Sequence, residues 1–138
     1  MTLSDSDGFI YDEEGIDHKE LKCILDLKNV RRGRIKACAK EFKCDYFEKN
    51  KPWQIKCDIA ISAATQNEIS EEDARMPVKN GCIAVGEGAN MPTTPEGVAV
   101  FQKAKIRYAS GKAANAGGVA TSGLEMTPNS MRLSWSRE

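Results

Sequence analysis

The sequence has few of the residue patterns that mark hydrolytic enzymes. It contains a single histidine, His18, and no Ser-His-Asp arrangement is indicated. No pair of carboxylates has a distinctive spacing of the kind that glycosidases use for acid and base chemistry. Hydrolytic chemistry therefore has no support in the sequence.

The sequence also lacks an excess of charge of either sign and any long hydrophobic run. Its 20 acidic and 20 basic residues give a formal net charge of zero, which does not favour nucleic acid or a membrane surface as a partner. No apolar stretch approaches the roughly 20 residues that cross a bilayer. With 138 residues, 41% of them hydrophobic, we expect one soluble domain whose partner is a small molecule.

The cysteines form no recognisable metal or disulfide motif. Their number is odd, no C-x-x-C pair occurs, and no secretory segment is found at the N-terminus. We expect no metal site, a reducing cytoplasmic environment, and buried thiols that pack as small hydrophobic groups. The cysteines are Cys23, Cys38, Cys44, Cys57 and Cys82.

Hydrophobic spacing predicts an alternation of strands and helices. Apolar residues at three- and four-residue intervals from Asp17 to Phe42 predict one or two amphipathic helices, with a break at Gly33. Short apolar runs that start near residues 57, 82 and 106 predict strands separated by helical segments. A spacing of about 25 residues is typical of successive β-α units, which form a parallel sheet covered by helices on both faces.

Individual residues predict where helices begin and end. Thr94 is a suitable N-cap, and Pro95 suits the first position of the helix that follows. Pro77 lies within the preceding helical segment, and a proline in a helix interior costs about 3 kcal/mol. We therefore expect that helix to end or kink at Met76. Residues 115–127 are expected to be helical despite their glycines.

Small polar residues follow each predicted strand, in the clusters LSDSDG, ISAATQNE, GEGANMPTT and YASGKAANAGG. Ligands of open parallel sheets bind at the carboxyl ends of the strands, so these clusters are candidate binding residues. The first three also have a structural interpretation as a turn or a helix cap. The residues concerned are Asp5 in a turn closing on Gly8, Thr65 or Asn67 as a cap, and Asn90 in a turn. The basic cluster VRRGR is either a phosphate contact or a solvated helix face.

The segment GKAANAGGVATSGLEM, residues 111–126, is unusual for a helix. Gly117, Gly118 and Gly123 each cost about 1 kcal/mol relative to alanine in a helix interior, so a compensating interaction is expected. Close packing against a sheet would compensate, and so would a planar ligand beside the helix N-terminus. Lys112 is either a catalytic amine or an ordinary solvated lysine.

Four stretches of the sequence together closely resemble the hexameric, NADP-type glutamate dehydrogenases. They are SDSDGFIYD, PWQIKCDIAISAATQNEI, GEGANMPTTPE and GKAANAGGVATSGLEMTPNSMRLSW, in order across essentially the whole chain. The resemblance implies an α/β fold with a Rossmann-like three-layer α/β/α arrangement and a mainly parallel sheet, incomplete because the first β-α unit is missing. It also implies that residues 1–138 are the C-terminal-side portion of the dinucleotide-binding domain, and that the N-terminal substrate and catalytic domain is absent.

The resemblance further implies an activity and a set of binding residues. Enzymes of this family convert glutamate, NADP and water to 2-oxoglutarate, ammonia and NADPH. The implied coenzyme contacts are Ser4, Asp5 and Ser6 at the adenine ribose, Ala64, Thr65 and Gln66 along the pyrophosphate and nicotinamide ribose, Asn90 at that ribose, and Asn115 at the nicotinamide carboxamide. The implied substrate contacts are Val119 and, for the distal carboxylate of glutamate, Ser122.

The same resemblance implies that the catalytic residues lie in the absent domain. This segment alone is therefore expected to be inactive, and its parent protein is expected to be a homohexamer. The coenzyme is a separate question, because a carboxylate at Asp5 would repel a 2′-phosphate and so favour NAD. The SDS turn, however, resembles the NADP-preferring members, in which Ser6 could donate to that phosphate, and we therefore expect NADP.

Two alternatives stay open. A branched-chain or aromatic amino-acid dehydrogenase of the same superfamily would need an apolar pocket for the substrate side chain, and Ser122 favours glutamate instead. A non-catalytic nucleotide-binding or assembly module would have kept the fold without the chemistry.

Overall fold

The computed structural model of the chain describes residues 1–136, in which two three-stranded sheets are joined and covered by helices. The strands are β1 (Thr2–Asp5), β2 (Gly8–Tyr11), β3 (Asp45–Glu48), β4 (Ile59–Ser62), β5 (Ala84–Glu87) and β6 (Arg107–Ala109). The helices are α1 (His18–Asn29), α2 (Lys36–Phe42), α3 (Glu71–Lys79), α4 (Pro95–Lys103), α5 (Gly111–Ala114) and α6 (Ala116–Ser130), with a 3-10 turn at Pro52–Gln54. None of the helices described has the length and hydrophobicity that crossing a membrane requires.

The N-terminal sheet is antiparallel, in the order β1-β2-β3. The predicted turn is confirmed, because β1 and β2 form a hairpin that closes between Asp5 and Gly8. Phe9 of β2 stacks on Phe47 of β3, with ring centroids 4.7 Å apart. The sheet itself was not predicted, since its pairing joins β2 to a strand more than 30 residues later in the chain.

The first predicted helical region forms two helices, α1 and α2, as the break at Gly33 indicated. Asp17 caps α1, and its carboxylate accepts a hydrogen bond from the backbone N–H of Glu20 at 2.8 Å. The two helices pack on the antiparallel sheet and enclose a hydrophobic cluster. Its buried members are Ile10, Ile24, Leu27, Ile35, Cys38 and Ala39.

The second sheet is parallel, in the order β4-β5-β6, as the sequence predicted. Its core brings Ala60 and Val85 together with Phe101 of α4. The side chains of Ile59 and Ile61 alternate with those of Ala60 and Ser62 and remain 61% and 66% exposed. The α/β class and the parallel sheet are thus confirmed, with the antiparallel sheet as an addition.

The sequence correctly predicted where α4 begins but not where α3 ends. Thr94 caps α4 and Pro95 occupies its first turn, as predicted. Of the two expected outcomes for α3, an end at Met76 was wrong, because the helix continues through Pro77 to Lys79, and the kink stays a prediction. Pro77 lies in the last turn, where one missing N–H affects only one helical hydrogen bond, and its ring is fully buried. In α6, Pro128 likewise lies close to the end of the helix.

Candidate functional site

The carboxyl ends of β5 and β6 open onto a cavity of about 1050 Å³. Because the two strands are parallel neighbours, the segments that follow them leave the sheet at the same edge. The segment after β5 contributes Asn90, and the segment after β6 contributes Lys112, Asn115 and Val119. A cavity of this size lies at the upper end of the range that holds a small organic ligand.

Two side-chain amides predicted to bind coenzyme meet at this cavity. The Nδ2 atom of Asn115 donates to Oδ1 of Asn90 at 2.7 Å. Asn90 does not cap α4, because that position belongs to Thr94. One donor and one acceptor of the pair are used in this contact, so both amides keep further hydrogen-bonding groups for a ligand.

A buried carboxylate, Glu87, holds the loops beneath these amides. Glu87 ends β5 and is 3% exposed. Its Oε2 atom accepts a hydrogen bond from the backbone N–H of Gly111 at 2.7 Å, and its Oε1 atom accepts one from the N–H of Thr93 at 3.3 Å. Glu87 therefore joins the loop after β5 to the start of α5.

Glu87 remains ionised although it is buried. Burial disfavours its charged form, but hydrogen bonds from the Tyr108 hydroxyl and from Gly111 and Thr93 outweigh burial and lower the pKa of Glu87. Burial and the nearby carboxylate together raise the pKa of Tyr108, which keeps its hydroxyl protonated and donating. Sequence analysis missed Glu87, although an acid at the end of an apolar strand was a signal that could have found it.

The end of β1 borders a second, smaller cavity of about 390 Å³. Its lining brings together five of the predicted coenzyme residues. These are Ser4, Asp5, Ser6, Ala64 and Thr65, and Lys49 and Lys51 lie beside them. The segments after β1 and β4 therefore share one groove, as the prediction requires.

Asp5 is held by groups of its own chain. Its carboxylate accepts backbone N–H bonds from Ile35 at 3.0 Å and from Asp7 at 3.1 Å, and it pairs with the ammonium of Lys28 at 3.1 Å. Burial opposes its ionisation, but these donors outweigh burial and lower the pKa of Asp5. The turn interpretation of Asp5 is therefore confirmed, and the positive charge of Lys28 compensates its negative charge.

Comparison with known protein families gives a match over the full length of the chain. The sequence profile of the Glutamate/Leucine/Phenylalanine/Valine dehydrogenase family matches residues 1–138.

The chain belongs to that dehydrogenase family.

Relatives within this family are named glutamate dehydrogenases. The chain is 63% identical to "Glutamate dehydrogenase" of Bacteroides thetaiotaomicron and 49% identical to "NADP-specific glutamate dehydrogenase" of Escherichia coli. Each match covers 100% of the chain and 31% of the relative, so the chain spans about a third of their length. Other relatives carry NAD(P)-specific or NAD-specific in their names.

Solved glutamate dehydrogenase structures share this fold. A crystal structure of the Plasmodium falciparum enzyme superposes with a TM-score of 0.87 at 46% identity, over 99% of this chain and 29% of that one. The α/β arrangement, with its parallel three-stranded sheet, is thus part of a known dehydrogenase fold.

Two residues predicted for this dehydrogenase-family site do not line either cavity. Gln66 follows β4 and Ser122 lies in α6, and both are exposed. The alternative that Thr65 or Asn67 caps the next helix was wrong, because Ser70 caps α3. Asn67 instead has a left-handed backbone conformation, with a φ of 55°.

Gly111, which precedes α6, is closely surrounded by other atoms, whereas the glycines within α6 are not. A Cβ atom at Gly111 would lie 2.7 Å from the carbonyl oxygen of Ala89, so a side chain there would displace the loop. Gly117, Gly118 and Gly123 have open space around them in the described chain. Close packing within this chain therefore does not compensate for these three glycines, and the ligand interpretation of α6 stays a prediction.

One cluster near α1 has the composition of a metal site. The ligand atoms of Asp12, Glu20 and Cys44 lie within 4.8 Å of one another. Burial and the two acids raise the pKa of Cys44 to about 12, and its thiol donates to Asp12 at 3.2 Å. A thiol must lose its proton to bind a metal, and a metal here would have to displace the proton that Cys44 shares with Asp12.

Proposed function

We propose that this chain is part of the dinucleotide-binding domain of a glutamate dehydrogenase and contributes its coenzyme contacts. The observation that carries the proposal is the contact of Asn90 with Asn115 at a cavity between the ends of two parallel strands. Relatives that match over the whole chain are named for glutamate, which supports this substrate over leucine, phenylalanine or valine.

The residues around the larger cavity suit a nicotinamide ring. An amide group on the ring can exchange hydrogen bonds with the free donor and acceptor of Asn115, and the ribose hydroxyls can do so with Asn90. Val119, 69% exposed on α6, offers an apolar contact for the substrate. The coenzyme would supply the hydride-accepting ring, while these side chains bind and orient it.

In the proposed site, Ser122 binds the distal carboxylate of glutamate. It follows Val119 by three residues, so the two side chains lie near each other along one side of α6. A hydroxyl donates a hydrogen bond to a carboxylate, whereas a hydrocarbon side chain would offer it none. This distinction supports glutamate over the branched-chain and aromatic substrates of the same family.

The smaller groove supports NADP as the coenzyme. The carboxylate of Asp5 is already paired with Lys28, which weakens its repulsion of a 2′-phosphate. Arg34 donates to the hydroxyl of Ser6, and Lys49 and Lys51 line the groove. Arg34 and Lys51 are also paired with Asp7 and Asp73, so the support from charge comes chiefly from Lys49, whose ammonium would donate to the extra phosphate of NADP. In the proposed binding mode, Ala64, Thr65 and Gln66 lie along the pyrophosphate and nicotinamide ribose.

The proposal assigns the chemical step to a larger protein. Hydride transfer requires glutamate and coenzyme to be held at reacting distance, and the residues that activate the substrate would come from outside these 138 residues. The parent protein would act on glutamate and form 2-oxoglutarate and ammonia, as a cytoplasmic homohexamer. The length of the chain, about a third of its relatives, supports this division.

The test is coenzyme reduction by the protein expressed as its gene encodes it. We expect glutamate to reduce NADP, with little reduction when leucine, valine or phenylalanine replaces it. Residues 1–138 expressed alone should oxidise no NADPH in the presence of 2-oxoglutarate and ammonium. Preference for an apolar amino acid would support the alternative dehydrogenase, and coenzyme binding without any amino-acid oxidation would support a non-catalytic module.

A further inference from the structure

Two thiols far apart in the sequence touch between α1 and α2. The sulfur of Cys23, in the middle of α1, lies 3.3 Å from the sulfur of Cys38 near the start of α2. A disulfide requires a separation of about 2.0 Å, so the two sulfurs need to approach by roughly 1.3 Å.

The two sulfurs have different surroundings. Cys38 is 2% exposed and belongs to the hydrophobic cluster beneath the helices. Cys23 is half-buried, accepts a hydrogen bond from the guanidinium of Arg31 at 3.7 Å, and lies 3.5 Å from the carboxylate of Glu41. Arg31 is itself paired with Asp26 at 2.8 Å, so the two sulfurs differ chiefly in exposure, and Cys23 is the one that a small oxidant can reach.

We propose that Cys23 and Cys38 form a peroxide-sensitive dithiol site, in which Cys23 is oxidised first and Cys38 then closes a disulfide. In the first step the Cys23 sulfur attacks hydrogen peroxide and the O–O bond breaks. This gives a sulfenic acid and one water, which carries away the thiol proton. In the second step the Cys38 sulfur attacks the Cys23 sulfur, and the hydroxyl leaves with the Cys38 proton as a second water. Two thiols are oxidised and one peroxide is reduced.

The order of the two steps follows from burial. Burial and contact with Cys23 raise the pKa of Cys38 to about 12, so Cys38 stays protonated and suits the second, resolving role. Cys57 and Cys82 also neighbour each other, but the Cys82 thiol donates hydrogen bonds to the carbonyl oxygens of Asp58 and Ala84 instead.

The test is peptide mapping of the protein expressed as its gene encodes it. The reduced protein is exposed to hydrogen peroxide, alkylated and cut with trypsin. Cleavage after the lysines places each of the five cysteines in a separate peptide, with Cys23 in residues 23–28 and Cys38 in residues 37–40. We expect these two peptides to be joined and to separate on treatment with dithiothreitol.

Two variants make the assignment specific. Cys38→Ser should leave Cys23 as a sulfenic acid that dimedone traps, because the resolving thiol is gone. Cys44→Ser, a matched control in the same half of the chain, should still form the link. Recovery of both alkylated peptides under conditions that fully oxidise added glutathione would overturn the proposal. So would a link from Cys23 to a different cysteine, and the wild-type mapping decides this even if a variant fails to fold.

Discussion

Two carboxylates, the half-buried Asp5 and the buried Glu87, organise the two cavities in different ways. Asp5 accepts two backbone N–H bonds and pairs with the Lys28 ammonium. Glu87 has neutral donors, two backbone N–H groups and the Tyr108 hydroxyl. The pKa of each carboxyl group is lowered. Neutral hydrogen-bond donors lower it at Glu87, whereas at Asp5 the Lys28 cation contributes as well.

The difference has a consequence for ligand binding. At Asp5 the Lys28 ammonium offsets the carboxylate, which weakens its repulsion of an anionic phosphate in the groove. At Glu87 the charge is enclosed beneath the cavity, and its effect is to set the positions of two loops. The first carboxylate affects binding through electrostatics and the second through geometry.

The largest effect on the free energy of unfolding is expected for Glu87→Gln. A glutamine can present one oxygen to Gly111 or Thr93, while its NH2 group would face the other backbone donor. We expect the free energy of unfolding to fall by about 3 kcal/mol, measured by urea denaturation. The exposed Glu13→Gln is the matched control and should change it little. An unchanged stability for Glu87→Gln would contradict the role of Glu87 in holding the loops.

The next largest effect is expected for Gly111→Ala, which places a Cβ 2.7 Å from the Ala89 oxygen. Overpacking of this kind should lower the free energy of unfolding by about 2 kcal/mol. Gly123→Ala, in open space within α6, should instead raise it by about 0.5 kcal/mol, since alanine favours helix. Equal effects in thermal denaturation would show that the loop at Gly111 is not tightly packed.

Lys28→Met tests how much the ion pair between Lys28 and Asp5 contributes to stability. Lys28 is 36% exposed, so solvent weakens the pair, and we expect a loss of about 1 kcal/mol at pH 7. Because the pKa of Asp5 is lowered on folding, its stabilisation is present above the ordinary value of 3.8 and is lost as the pH falls through the lower, folded-state value. The stability difference between wild type and variant should therefore shrink below pH 3.8. A difference that persists in acid would point to lost packing instead.

The smallest effect on stability is expected for the hydrogen-bonded amides of Asn90 and Asn115. A double-mutant cycle of Asn90→Ala and Asn115→Ala should give a coupling energy of about 0.5 kcal/mol in the free protein, because Asn90 is exposed. Urea denaturation of the four proteins measures it. A coupling of zero would mean that the 2.7 Å contact contributes nothing without a ligand.

Local features of the fold were predictable from sequence. The Thr94-Pro95 start of α4, the break at Gly33 and the three parallel strands each depend on a few neighbouring residues or on regular spacing. The failure at Pro77 has a physical reason, because the cost of proline in a helix depends on its distance from the helix end and on the burial of its ring.

Long-range contacts were not predictable from sequence. The pairing of β2 with β3, the Glu87 contacts with Gly111 and the meeting of Cys23 with Cys38 all join residues distant along the chain. The clusters after the strands did identify Asn90, Asn115 and Val119 around one cavity, since a parallel sheet places such segments at one edge. Gln66 and Ser122 were named by resemblance, and the cavities of this chain do not include them.

The central claim is that the amides after β5 and β6 bind a nicotinamide coenzyme. Titration of the gene-encoded protein with NADPH, followed by the fluorescence of the coenzyme, tests it most directly. We expect Asn115→Ala to weaken NADPH binding about tenfold, equivalent to the loss of one hydrogen bond. Asn129→Ala, an exposed position near the end of α6, should bind NADPH as the wild type does. Equal affinity of Asn115→Ala and wild type would contradict the account.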